Sequence, residues 1–230
     1  MNTGTERPSP DSVTEAEREY FLGRAINSLR EDDPVSSAST PVMGWQRWLL
    51  WSLLVALVGF ATWQPMGTAV VLVGLCTFGY VLTMLDRVTI FRAGLASRAI
   101  VVTDEEARAI PDAGLPLYTI LVPAYGEPEV VGDLIGAMAA LDYPRDKLQV
   151  LLLLEADDEV TIAAAKGTAD SDAITTVLVP PAEPRTKPKA CNYGLYFATG
   201  DFVTIYDAED RPEPLQLRRV VAAFRSLPDT

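Results

Sequence analysis

Three carboxylates stand directly behind an apolar run, where Phe202-Val-Thr-Ile-Tyr206 passes into Asp207-Ala208-Glu209-Asp210. Acidic groups crowded at the end of a buried strand repel one another and call for a counter-charge. A divalent metal carrying a phosphorylated ligand is the most economical one. Three further segments hold residue types suited to related work. Pro123-Ala124-Tyr125-Gly126-Glu127 offers an aromatic face beside backbone groups, Glu155-Ala156-Asp157-Asp158 offers more carboxylates, and Lys187-Pro188-Lys189 holds two of the chain's four lysines. Histidine is absent, which excludes histidine-dependent triads and histidine-ligated zinc within this chain and moves metal chemistry onto oxygen ligands.

The elements that would position these segments alternate. Leu117 to Pro123, Leu148 to Leu154, Ile174 to Val179 and Phe202 to Tyr206 are expected strands. Between and after them, Glu129 to Leu141, Glu159 to Thr168, Ala190 to Ala198 and Leu215 to Phe224 are expected helices, with a turn at Gly200. Strand, helix, strand in series implies an α/β fold with a parallel sheet and right-handed crossovers. Ligands bind such sheets beyond the carboxyl ends of the strands, which is where Pro123 to Glu127, Glu155 to Asp158 and Asp207 to Asp210 fall.

Upstream of residue 115 the character changes. Residues 1–44 are rich in Ser, Thr, Pro and charge and read as a disordered tail, with one amphipathic piece around Glu15 to Arg30 that is either a transient helix, or a docking helix or the remnant of an upstream regulatory module. Residues 45–85 hold two uncharged apolar runs, Trp48 to Trp63 and Met66 to Leu85, each close to the roughly 20 residues that cross a bilayer. They are expected to form a transmembrane helical hairpin, with Trp45, Trp48, Trp51 and Trp63 suited to the headgroup level. A signal peptide fits poorly, because about 45 polar residues come first. Arg47 before the hairpin and Arg87, Arg92 and Arg98 after it put both ends in the cytoplasm of a multi-pass inner or plasma membrane protein, with residues 86–114 as a juxtamembrane connector. Cys76 and Cys191 imply no disulfide framework, and a net charge of −12 argues against a nucleic-acid partner while leaving room for a small nucleotide.

The motifs of the last 115 residues resemble those of family 2 glycosyltransferases of the membrane-bound polysaccharide-synthase type. Ile120-Leu-Val-Pro-Ala-Tyr-Gly-Glu-Pro128 is similar to the opening of the nucleotide-binding half, with Gly126 in place of the usual Asn. Leu141-Asp-Tyr-Pro-Arg-Asp-Lys-Leu-Gln-Val150 is similar to the family's lead into its second strand, Lys187-Pro-Lys-Ala-Cys-Asn192 to its Lys-x-x-x-x-Asn motif, and Gly200 to Asp207 to the approach to its Asp-x-Asp. The resemblance implies a GT-A (Rossmann-like) domain over residues 115–230 that binds a nucleotide sugar, a UDP-hexose by preference, with Mg²⁺ or Mn²⁺. On that reading Pro123, Ala124, Tyr125 and Glu127 hold the nucleoside, and one of Glu155, Asp157 and Asp158 contacts base or ribose. Lys187 and Asn192 serve the diphosphate motif, and Asp207 with Glu209 or Asp210 holds the metal. The implied reaction is inverting transfer of a hexose to a polysaccharide or other glycan acceptor at the bilayer, with synthase subunits as possible partners.

The family's acidic general base and Gln-x-x-Arg-Trp motif have no counterpart here, so the chain is expected to be the N-terminal, donor-binding part of a truncated domain with little turnover alone. A second expectation stays open beside it: a non-catalytic membrane-anchored module that binds nucleotide or a synthase partner.

Overall fold

Tyr118-Thr-Ile-Leu-Val-Pro-Ala124 is buried at every position, and six consecutive residues from Val150 to Glu155 are buried beside it. Side chains in a strand alternate between faces, so a run buried at every position needs cover on both sides. A computed structural model, described for residues 7–38, 42–96, 100–167 and 174–227, supplies that cover. Strands β1 (Tyr118–Ala124), β2 (Leu148–Glu155), β3 (Thr175–Val179) and β4 (Phe202–Ile205) form one parallel sheet in the order β3-β2-β1-β4.

Helices α1 (Glu15–Asp32), α5 (Pro128–Ala139), α6 (Glu159–Lys166), α7 (Lys187–Gly194) and α8 (Gln216–Ser226) belong to the same unit, which gathers Met1–Asp33 with Val101–Thr230. Ile120, Val122, Leu152 and Leu154 join one core with Val131, Leu134 and Met138 of α5 and Leu217 and Val221 of α8. The alternate residues Leu121, Leu151 and Leu153 join a second core with Ala190, Cys191 and Tyr193 of α7 and Ala25 of α1. Truncating any of these buried leucines to Ala would cost about 2–5 kcal/mol. A short helix, α4 (Asp104–Arg108), is tied to α8 by the pair of Asp104 with Arg219.

Most element bounds differ from the sequence expectation by one or two residues, and Thr168 lies outside the described residues. The larger shift is in α7, which begins at Lys187 rather than Ala190. Thr186 caps it, its hydroxyl accepting from the Lys189 amide at 3.4 Å, and Pro188 sits in the first turn, where a missing N–H costs no helical bond. Lys187 and Lys189 are therefore on a helix, not in the loop before it.

The expected disordered tail also differs. Within residues 1–44, Thr14 and Glu17 form a capping box and Glu15–Asp32 is helical. Phe21 of this helix stacks on Tyr196 with ring centroids 4.3 Å apart and meets Phe197 edge-on. The composition of the tail is polar because one face of α1 is solvated, and its few apolar residues find an aromatic partner surface more than 160 positions away.

The second unit, Pro34–Ile100, contains α2 (Gly44–Trp63) and α3 (Pro65–Ala96), joined through Gln64. Their apolar side chains are exposed nearly throughout. Of the two spans expected over residues 45–85, α3 is the one helix among the described residues long and apolar enough to cross a membrane. It runs on to Ala96 and so absorbs the first part of the expected connector. In α2, Gln46, Arg47 and four tryptophans dilute the apolar run. Arg98, used above for orientation, lies outside the described residues.

Candidate functional site

The carboxyl ends of β1 and β2 and the first turn of α7 enclose a cavity of about 230 Å³. Pro123, Ala124, Leu153 and Ala190 give it apolar walls, while Tyr125, Glu127, Glu155, Arg185, Thr186 and Lys187 bring polar groups to it. β1 turns sharply after Ala124. Gly126 has φ +66°, a left-handed conformation that glycine adopts freely and that Asn also tolerates, so the departure from the usual Asn preserves the turn. Its amide donates to Asp158 Oδ2 at 2.6 Å, which joins the end of β1 to the turn after β2.

The carboxylates of that turn have separate tasks. Glu155 is buried and its two oxygens lie 2.7 and 3.0 Å from Lys189 Nζ, which also donates to the Ala182 carbonyl at 2.9 Å. Asp158 caps α6 by accepting from the Thr161 amide at 3.2 Å. Burial opposes its ionisation, but the bonds from Gly126 and Thr161 outweigh it and hold this carboxyl below the usual Asp value. Asp157 reaches sideways to Arg185, Nη2 to Oδ2 at 2.7 Å, and Arg185 Nη1 donates to the Tyr125 hydroxyl at 3.1 Å.

Beyond β4 the chain turns at Asp207. Lys187 Nζ donates to Asp207 Oδ1 at 2.8 Å, and that carboxylate holds the ammonium above the ordinary lysine pKa. Asp210 folds back on its own turn: its Oδ2 accepts from the Asp207 amide at 2.8 Å, while its amide donates to the Asp207 carbonyl at 2.9 Å. Glu209 is exposed. No group of three His, Cys, Asp or Glu side chains able to hold a metal occurs among the described residues. The expected three-carboxylate seat is thus not assembled, because a short Asp side chain competes well for nearby backbone amides. Asp207 and Glu209 remain as oxygen donors. Such a pair suits Mg²⁺, which commonly takes one or two carboxylates together with substrate phosphates.

A family model described as "Glycosyltransferase like family 2" matches residues 116–229. This part of the chain is a family 2-like glycosyltransferase domain. The chain is 29% identical over 109 residues to the protein named "Probable glycosyltransferase YdaM" of Bacillus subtilis (strain 168), an alignment covering 46% of this chain and 26% of that protein. It thus spans about a quarter of the length of that curated relative. Among solved structures it is similar to the mannosyltransferase PcManGT from Pyrobaculum calidifontis in complex with GDP-Man and Mn²⁺, at 28% identity and a TM-score of 0.48, over 67% of this chain and 42% of that one.

Within the glycosyltransferase domain, Pro123, Ala124, Tyr125, Glu127, Glu155 and Lys187 all line the one cavity. Asp207 adjoins it through Lys187, and Asp157 through Arg185. Asn192 does not join them. It lies on another face of α7, and its Nδ2 donates to the Ala25 carbonyl of α1 at 3.1 Å. A residue at the sixth position of an eight-residue helix points away from the site served by the first, and α1 occupies that side. Sequence reasoning passed over Arg185 and Thr186. The available signal was local: Thr before Lys-Pro is a helix start, and a helix start at a cavity puts the residue before the cap at its mouth.

Proposed function

We propose that this chain supplies the donor-binding machinery of a membrane-anchored glycosyltransferase that moves a hexose from a nucleotide sugar, by preference a UDP-hexose, to a polysaccharide or similar glycan acceptor with inversion. The observation that carries the reading is the Lys187–Asp207 contact of 2.8 Å at the mouth of the cavity. It puts a cation and a carboxylate side by side where a diphosphate would leave an apolar, aromatic-edged pocket for a nucleoside. Tyr125, with 53% of its surface exposed, gives a base ring a face to stack on. The Lys187 ammonium attracts the diphosphate as a point charge and moves off Asp207 as the ligand enters.

Asp207 and Glu209 are the residues that would hold Mg²⁺ or Mn²⁺, and the metal when bound offsets charge gathering on the departing diphosphate. The exposed apolar surface of α3 supports anchoring in a bilayer, and Arg47 with Arg87 and Arg92 supports a multi-pass placement in an inner or plasma membrane, amino terminus and catalytic domain cytoplasmic. A glycan-synthase subunit is the partner this placement fits.

Calorimetry of the detergent-solubilised chain with UDP and with GDP, each with Mn²⁺, tests the reading. One of the two should bind in a metal-dependent manner, and Asp207→Asn should weaken it at least tenfold. Neither nucleotide binding, or binding indifferent to Asp207→Asn, would remove the donor-site assignment.

A further inference from the structure

Arg185 is the one guanidinium lining the cavity among the described residues, and three neighbours fix it. Its Nη2 meets Asp157 Oδ2 at 2.7 Å, its Nη1 donates to the Tyr125 hydroxyl at 3.1 Å, and its Nε stands 3.6 Å from Glu183 Oε1. The guanidinium carbon lies 5.9 Å from the centroid of the Tyr125 ring.

Stability does not account for this cluster. The Arg185 and Asp157 side chains are 36% and 39% exposed, and pairs this wet contribute about 0–1 kcal/mol. The fold has a buried clamp for the same loop in Lys189, which holds both Glu155 and the Ala182 carbonyl. What the cluster does provide is an organised edge. A guanidinium has five N–H donors in a rigid fork, and here each Nη spends one and keeps one. Asp157 keeps lone pairs for an imide N–H or a hydroxyl, and the exposed Tyr125 ring offers a stacking face beside both.

Lys187, two residues on, makes a different set of contacts. Its ammonium turns to Asp207 at the end of β4, whereas Arg185 turns to Asp157 and Tyr125 at the ends of β2 and β1. The two cations thus face different strand ends at the one cavity.

We propose that Arg185, with Asp157 and Tyr125, binds the nucleoside of the donor, its guanidinium donating to a base carbonyl or ribose oxygen, while Lys187 alone serves the diphosphate. This rests on the nucleotide-sugar reading given above. The assignment makes Arg185 insensitive to whether phosphates are present, and it makes the planar fork, not the charge, the working feature.

The test is a comparison of nucleoside and nucleotide on the full chain in detergent, with Mn²⁺, using uridine with UDP and guanosine with GDP and taking the pair whose diphosphate binds more tightly. Titration by ligand-observed NMR gives dissociation constants for wild type, Arg185→Ala, Arg185→Lys and Lys187→Ala, with circular dichroism melts showing that each variant is folded. Arg185→Ala should weaken nucleoside and diphosphate by the same factor, about tenfold, and Arg185→Lys should recover little of it. Lys187→Ala should weaken the diphosphate and leave the nucleoside unchanged. Loss in Arg185→Ala confined to the diphosphate, or full recovery in Arg185→Lys, would make Arg185 a phosphate-binding charge and overturn the assignment. Wild-type chain that binds neither diphosphate would instead overturn the underlying nucleotide reading.

Discussion

Lys187 and Lys189 look equivalent in sequence, and the helix separates them. Two residues on an α-helix stand about 200° apart around its axis, so once Lys187 faces Asp207 at the cavity, Lys189 must face the interior. Lys189 and Glu155 are 2% and 7% exposed at their side chains, a pair taken out of water on both sides. Removing one partner strands a buried charge, and Lys189→Met is expected to cost about 3–5 kcal/mol in urea unfolding. Replacing both, as Glu155→Leu with Lys189→Met, should return most of that loss, because a buried pair and an apolar pair of similar volume are nearly equivalent in stability. A double variant no better than the single one would show that the pair works through a network wider than these two residues. At this scale the sequence made the types and rough placement of site residues legible, from Tyr125 to Lys187 and Asp207. It concealed which carboxylates are already engaged, because Glu155, Asp157 and Asp158 differ in partners that come from α7, its preceding loop and the turn after β1.

Between elements, the clearest constraint is at the entry to β4. Gly200 donates its amide to Thr119 Oγ1 at 2.9 Å, and the Thr119 hydroxyl and the Thr199 amide both bond Gln149 Oε1, at 2.7 and 2.9 Å. This network joins the starts of β1, β2 and β4 at the end of the sheet opposite the cavity. A methyl group at Gly200 would lie 2.5 Å from the Thr119 amide nitrogen and 2.6 Å from the Phe202 carbonyl oxygen, and backbone atoms cannot turn aside as a side chain can. Gly200→Ala is therefore expected to destabilise by about 2–3 kcal/mol, read as a lower urea midpoint with an unchanged slope. It should also weaken nucleotide binding, since β4 delivers Asp207. The alternation of strands and helices was legible because each run is short, apolar and closed by a turn. The packing of α1 was not, since Phe21 finds its partners, Tyr196 and Phe197, in a segment far along the chain that no local pattern links to it.

For the molecule as a whole, the order of segments along the chain matters more than any one contact. The glycosyltransferase-bearing unit is built from two pieces, Met1–Asp33 and Val101–Thr230, and the helical unit Pro34–Ile100 is inserted between them. A chain in which Cys76 and Cys191 are replaced by Ser and Gln64 by Cys offers one reporter at the junction of α2 and α3. In intact cells a membrane-impermeant maleimide added outside should label that cysteine, and a Cys at Ser28 of α1 should stay unlabelled until the cells are opened. Equal labelling of both would dismiss the cytoplasmic placement of the amino terminus.

The docking of α1 has a further consequence, one of parity. A chain that leaves a folded body and later returns to it ends on the side of a bilayer from which it departed, so it crosses an even number of times. Should α3 cross, something between Asp33 and Val101 crosses with it in the opposite sense. With 20 residues, α2 spans about 30 Å, the thickness of the hydrocarbon layer, whatever its tryptophans do to its mean hydropathy. The packing of α1 against α7 and the aromatic residues just beyond it would thereby limit any crossing by the segment between Asp33 and Val101 to an even number.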